Sequence, residues 1–445
     1  MMCCARSPLQ RLTLRLSLRR FWCFSARGSV AMIDVCELRD ELSLWWLGEE
    51  GGQHRPRHLI GRIFLADGNR QVGLEYASSW LKNGFALSDD LPLAKGIFLP
   101  LERGMAVGAV DDARPDRWGE RVIRSLYNPA RLSVLECLRF AGDDRCGALG
   151  VSNVGVEPVP CSAAVTPGFN DLFGMERAIA AMRAGQRLNH DQAHLVKAGA
   201  AFGGARPKSL IQIEDAQYLV KFSEGEDFDT ELVEHATMRL AAQCGIKVAP
   251  TRALPLKSGH AVASQRFDRY EGRRLHVISA KTVLQAAGMP LGYPELAQCL
   301  RSIARPQSIR DHQWELFRRM VFNILMDNTD DHEKNHAFVR ASDGYYDLSP
   351  AYDVVPSVQG LGQQQLSVGL GGAVSSIENA LSQIEAFGLT TDMAVETIKR
   401  VATHVDGWKE SFGLQGVLPR DIDSMIQYID GPNLRNQRLA FAQTI

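Results

Sequence analysis

The order of elements read from the sequence predicts an α+β chain, with a small β-rich subdomain at the N-terminal end, a hairpin-bearing lobe, and a mainly helical C-terminal lobe. Three observations predict it. Short apolar runs broken by turn pairs such as Asp67-Gly68 fill Ile33 to Tyr76, the pattern of an antiparallel meander. Two apolar runs, Ser209 to Ile213 and Gln217 to Phe222, flank the acidic turn Glu214-Asp215-Ala216 and predict a hairpin. From Trp314 onward apolar residues recur at helical spacing, interrupted by one polar loop at Asn328 to His336, and a helical cap runs from Ser376 to Ala440.

The elements follow in order. The first 28 residues carry Arg6, Arg11, Arg15, Arg19, Arg20 and Arg27 and no acidic residue, which mimics a transit peptide. Residues 1–31 read better as an over-extended frame or a disordered tail before Met32, and stand outside the fold. An N-terminal subdomain occupies 32–155, with a helix starting at Asp116 to Ile123 and another over Leu132 to Phe140. Proline in Val156 to Thr166 and at Pro167 marks a linker. A second lobe spans 168–310: a helix at Leu172 to Ala184, a small-residue loop at Ala198 to Lys208, the hairpin, a helix at Thr230 to Cys244 closed by Gly245, and a strand at Val262 to Phe267. Loop, hairpin, helix and strand in that order suit a nucleotide-clamping lobe. The helical lobe occupies 311–445.

A chain of 445 residues exceeds one compact core and predicts two or three domains or one lobed enzyme. With 45% hydrophobic and 23% charged residues and no apolar run long enough to span a bilayer, it reads as soluble. Fifty basic and 51 acidic residues leave no global field for nucleic acid. Nine cysteines without CxxC spacing indicate neither a disulfide framework nor a zinc site, and fit reduced thiols in the cytoplasm.

The polar loop is the most informative segment. A helix from Trp314 to Met326 delivers the chain into it, and the apolar Ala337, Phe338 and Val339 follow, so polar groups are presented between core elements. Asp330 and Asn335 have the Asp-x-x-x-x-Asn spacing with which phosphotransferases place a hydroxyl-orienting carboxylate and a magnesium-binding amide on one loop. A second carboxylate is needed downstream, and Asp353, after the Pro350 turn, meets that need ahead of Asp347. Lys221 ends the apolar run Tyr218-Leu219-Val220 and can engage phosphate from a strand. Gly203-Gly204-Ala205-Arg206-Pro207-Lys208 combines close backbone approach with charge.

Each signal has a bland explanation. Asp and Asn are ordinary turn residues, a lysine at a strand end is usually solvated, and the glycine loop is neither GxGxxG nor a Walker sequence. Their order along the chain is what carries the reading: glycine loop, strand lysine, catalytic loop, metal aspartate.

These stretches resemble the HipA family of serine/threonine kinase toxins. The resemblance rests on Gly203 to Lys208, Lys221, Arg266-Phe267-Asp268, Thr329 to Asn335 and Tyr352-Asp353, with Pro115-Asp116-Arg117-Trp118-Gly119 and Gly147-Ala148-Leu149 in the N-terminal part. It covers about Val72 to Ser357. It implies a two-lobed protein-kinase-like fold that uses ATP and Mg2+, with Asp330 as general base, Asn335 and Asp353 as metal ligands and Lys221 as phosphate contact. His332 and Lys334 would line the same loop, Gly203, Gly204, Ala205, Arg206 and Lys208 would cradle the nucleotide, and Gln265, Arg266 and Phe267 would border the adenine. Implied partners are a protein substrate, such as a translation factor or an aminoacyl-tRNA synthetase, and a HipB-like DNA-binding antitoxin. Two departures stand out. Ala201-Phe202 precede Gly203 where family toxins often carry a serine that is autophosphorylated, and Asp331 and Glu333 are expected to add negative charge beside the phosphates.

Two other readings share these residues. A small-molecule kinase of the aminoglycoside or choline type uses the same spacing, usually with histidine before the aspartate, whereas Thr329 precedes Asp330 here. A non-catalytic corepressor acting with an antitoxin needs none of Lys221, Asp330, Asn335 and Asp353, yet all are present.

Overall fold

The computed structural model describes residues 38–48, 57–158 and 166–442; the arginine-rich stretch 1–31 lies outside them. The meander expected near the N-terminus is an antiparallel sheet in the order Ile97–Phe98, Gln71–Tyr76, His58–Ala66, Glu41–Trp46, Leu149–Ser152. Every residue from Leu42 to Trp46 is buried, so this strand is covered on both faces, with Leu42, Leu44 and Trp46 directed into the main core. The turn at Asp67 and Gly68 has positive φ at both residues (44° and 61°), as expected for an Asp-Gly pair closing adjacent strands. Helices Arg117–Tyr127 and Val134–Phe140 follow, the second opened by a capping box between Ser133 and Glu136.

The hairpin forms from strands Lys208–Ile213 and Ala216–Lys221, which join His260–Gln265 and Thr251–Pro255 in a four-stranded antiparallel sheet. Leu172, Met175 and Ile179 of helix Leu172–Arg183 pack with Ile211, Tyr218 and Val220 of the hairpin. Helix Thr230–Gln243 carries buried residues on most of its circumference, so it is held within the fold rather than laid on it.

The C-terminal lobe departs from the expected run of helices. Its helix begins at Ile309 rather than Trp314 and ends at Leu325. After the polar loop come two strands, Ala337–Arg340 and Tyr346–Leu348, because Ala337, Phe338 and Val339 pair with Val277–Ser279 from before the helical region. A long non-helical passage then reaches Ser376, and the helical cap is Ile377–Leu381, Thr391–Asp406, Trp408–Leu414, Pro419–Ile429 and Pro432–Ala442. Among the described residues the cysteines Cys137, Cys146, Cys244 and Cys299 are free, and no helix is long and apolar enough to cross a membrane.

Candidate active site

Hairpin register makes Lys208 and Lys221 cross-strand neighbours, and both are buried. Two ammonium groups side by side away from water require nearby anions. Lys221 has them: its Nζ donates to both oxygens of Glu234, at 2.8 and 3.0 Å, and to the carboxylate of Asp353. Burial opposes its charge, but Asp353 and Glu234 outweigh burial and hold the ammonium above the usual lysine range. Lys208 Nζ donates to the Gly203 carbonyl at 2.5 Å and forms no ion pair as close as those of Lys221, so burial, aided by Lys221 and opposed by Asp353 and Glu234, lowers it to about 8. Burial raises Glu234, with Lys221 opposing.

Gly204 has φ +87°, a conformation that favours glycine, and a Cβ there would stand 2.4 Å from the Lys208 Nζ and displace the lysine's tip. Arg206, expected at the phosphates, is directed elsewhere: it pairs with Glu226 at 3.0 Å and Glu231 at 3.1 Å. Neither Arg206 nor Ala205 lines the cleft.

The polar loop begins where helix Ile309–Leu325 ends, with Asp327 at φ 54°. The backbone N–H groups of Thr329 and Asp330 both donate to the Ser357 hydroxyl, at 2.8 and 3.1 Å, which fixes the loop's first turn. Asp330 is exposed as a residue, yet its neighbours take part of the carboxyl's water; that partial desolvation, opposed by His332 and reinforced by Asp353, raises it above the ordinary value. Asp331 corrects an expectation. Rather than adding charge beside the phosphates, it is buried behind the loop, where it accepts from the Tyr293 hydroxyl and lies 2.7 Å from His336 Nε2. An ionised carboxylate with those two partners anchors the loop from beneath.

Asn335, Lys334 and His332 all face the cleft. Asn335 Nδ2 lies 3.4 Å from the Asp330 carbonyl, and Lys334 Nζ donates to Asp116 at 2.9 Å. Asp353 sits at φ 60°, a conformation few side-chain-bearing residues adopt, immediately after Tyr352, whose hydroxyl donates to the Lys334 carbonyl at 2.6 Å. Burial opposes the Asp353 charge, but Lys221 and Lys208 outweigh it and hold the carboxyl well below the usual range. Asp347 is engaged elsewhere, by Arg305 at 2.7 Å and His312 at 3.3 Å.

These groups surround a cleft of about 250 Å³ whose apolar wall includes Phe202, Leu219, Val277, Ala337 and Tyr352. That suits a flat aromatic base at one end and anionic groups at the lysines. Gln265, Phe267 and Arg266 border it; the Phe267 ring packs on Tyr352 with centroids 5.3 Å apart. The Arg266 guanidinium is committed to Asp268 and to the carbonyls of Asp144 and Arg145, so it holds the wall rather than offering donors to a ligand. Asp330 does not line the cleft, but it lies within electrostatic reach of Asp353, His332 and Arg206.

Among the described residues no group of three or more His, Cys, Asp or Glu side chains could enclose a metal. Of the carboxylates that line the cleft, Asp112, Asp116, Glu234 and Asp268 are bonded to Ser279, Lys334, Lys221 and Arg266, which leaves Asn335 and Asp353, on adjoining loops, as an amide and a carboxylate oxygen for a metal. That donor set fits magnesium, which takes one or two protein oxygens and completes its shell with water and phosphate.

Several groups escaped sequence reasoning. Glu234 was signalled only by acidic residues at 231 and 234 beside the apolar pair Leu232-Val233. Ser357 bore no signal. Asp116 lay in a quoted motif without a role.

Known proteins resemble this chain in family and fold. The model for the HipA N-terminal domain matches residues 55–152, and that for the HipA-like C-terminal domain matches 200–408. A Sinorhizobium fredii protein named "Putative kinase Y4mE" is 24% identical over 345 residues, covering 71% of this chain and 77% of that protein. A Haemophilus influenzae protein named "Putative kinase" is 26% identical over 183 residues, covering 35% of this chain and 52% of that one. The HipA chain in the Shewanella oneidensis complex of HipA, HipB and operator DNA shares the fold, with a TM-score of 0.63 at 16% identity over 90% of this chain and 97% of that chain.

Proposed function

The chain belongs to the HipA family, and from that premise we propose that it is an ATP- and magnesium-dependent serine/threonine protein kinase. The observation that supports this best is Lys221, paired with Glu234 from one helix and Asp353 from the far side of the cleft. A strand lysine held by a helix glutamate and facing a metal-binding aspartate is the arrangement on which phosphoryl transfer depends.

In this reading Lys221, Lys208 and the backbone of Gly203 and Gly204 hold the phosphates, Phe267 and Tyr352 the base, and Asn335 and Asp353 magnesium. A metal held by Asn335 and Asp353 would supply neutralisation of phosphate charge. Asp330 accepts the proton of the incoming hydroxyl. Residues 168–310 then clamp the nucleotide and 311–445 carry the catalytic and metal loops.

The acceptor is a protein hydroxyl, and a HipB-like antitoxin is a second partner, as for the Shewanella protein named in complex with HipB and operator DNA. The test is incubation of the purified chain with radiolabelled ATP and cell lysate. A magnesium-dependent labelled protein, lost on chelation, is expected; no labelled protein under any condition would count against the assignment.

A further inference from the structure

We infer that Asp116, contributed by the N-terminal subdomain, is a positioning residue of the cleft: one carboxylate oxygen holds the glycine loop and the other holds Lys334 of the catalytic loop. The inference rests on the kinase reading for its consequence and on geometry alone for its structure.

Aspartate at the capping position just before a helix normally accepts from the first N–H groups of that helix, a contact contributing about 1 kcal/mol. Asp116 stands at that position before Arg117–Tyr127, yet its side chain makes no capping bond. It reaches outward instead. Oδ2 accepts from Gly204 N at 3.0 Å, and Oδ1 accepts from Lys334 Nζ at 2.9 Å. These partners lie 88 and 218 residues away in the chain.

The same helix grips the glycine loop at two further points. Trp118 N donates to the Gly204 carbonyl at 3.2 Å, and Trp118 Nε1 donates to the Lys208 carbonyl at 2.9 Å. Trp118 is fully buried, so the grip has a rigid base. A Cβ on Gly203 would fall 2.7 Å from Asp116 Oδ2, so the carboxylate is seated against the loop. Burial opposes the Asp116 charge, but Lys334, Gly204 and Arg114 outweigh it. The N-terminal subdomain thereby sets the spacing between the loop that would hold phosphate and the loop that would hold the acceptor.

The test uses the full chain with Asp116→Ala, Asp116→Asn, Lys334→Ala and the Asp116→Ala/Lys334→Ala double variant. Amide hydrogen exchange over residues 199–208 without nucleotide should be about tenfold faster in Asp116→Ala, while Asp116→Asn, whose side-chain oxygen still accepts from Gly204, should remain near wild type. Affinity for Mg-ATP should fall about tenfold in Asp116→Ala and less in Asp116→Asn. Adding Lys334→Ala to Asp116→Ala should cost little more, because the lysine is already released. Unchanged exchange in Asp116→Ala, strictly additive losses, or tighter Mg-ATP binding in either variant would overturn the inference, the last by making Asp116 a competitor of phosphate. Should Asp116→Ala fail to fold, wild-type exchange with reduced affinity in Asp116→Asn supports it, and unchanged affinity overturns it. If the wild-type chain binds no Mg-ATP, the kinase reading falls, while the exchange measurement still decides whether Asp116 holds the loop.

Discussion

Lys221 and Asp353 form an ion pair across the cleft, the ammonium from the strand Ala216–Lys221 and the carboxylate from the loop after Pro350. The same ammonium is shared with Glu234, which is almost fully buried, whereas the Asp353 side chain is 39% exposed. Glu234 is therefore the structural partner, and Asp353 the one free to exchange Lys221 for another cation.

That asymmetry predicts how stability and activity separate. Lys221→Ala leaves Glu234 buried without its cation and should cost about 3–5 kcal/mol in denaturant melts. The double variant Lys221→Met/Glu234→Leu, which replaces the pair by apolar groups of similar volume, should regain most of that loss. Both should be inactive. A double variant no more stable than Lys221→Ala would show that the pair is not what holds this helix to the sheet.

Ser357 is predicted to act on turnover rather than on nucleotide binding. Its hydroxyl is the acceptor for both Thr329 N and Asp330 N, each such bond being worth about 1 kcal/mol. Ser357→Ala should loosen the turn that aims Asp330 and lower kcat about tenfold, with Mg-ATP affinity nearly unchanged. Steady-state kinetics decide it: reduced affinity at unchanged kcat would place Ser357 in nucleotide binding instead.

Lys208 should make nucleotide binding pH-dependent. In the free protein it titrates near 8, and bound phosphate would raise that value. Below about 8 the lysine is charged in both states, and affinity should be flat. Above it, binding must take up a proton, so affinity should fall by up to about tenfold per pH unit. Lys208→Arg should abolish the slope, because guanidinium stays charged. Calorimetric titration with Mg-ATP between about pH 7 and pH 9.5 tests this, and a flat wild-type profile contradicts it. For the chain without ligand the sign is opposite: the unfolded lysine binds more protons above 8, so stability should rise with pH there.

What could be read from the sequence was local. Hairpin, polar loop, Lys221 and the Tyr352-Asp353 pair were visible because alternation and short spacing act over a few residues. Glu234 became recognisable as a partner only when its helix docked on the sheet, and Asp116 only when the chain returned 88 residues later as the glycine loop. Arg206 is engaged by Glu226 and Glu231 rather than lining the cleft, a tertiary contact that loop composition does not display. The strands Ala337–Arg340 and Tyr346–Leu348 were hidden for the same reason: short apolar segments become strands only with Val277–Ser279 beside them.

The measurement that bears most directly on the central claim compares Asp330→Asn with Asp353→Asn, reading Mg-ATP affinity and phosphotransfer on the same preparations. If Asp330 acts on the acceptor hydroxyl and Asp353 on magnesium, both variants should lose transfer by about a hundredfold or more, while only Asp353→Asn loses magnesium-dependent affinity. Near-normal turnover in Asp330→Asn, or unchanged magnesium dependence in Asp353→Asn, would contradict the account.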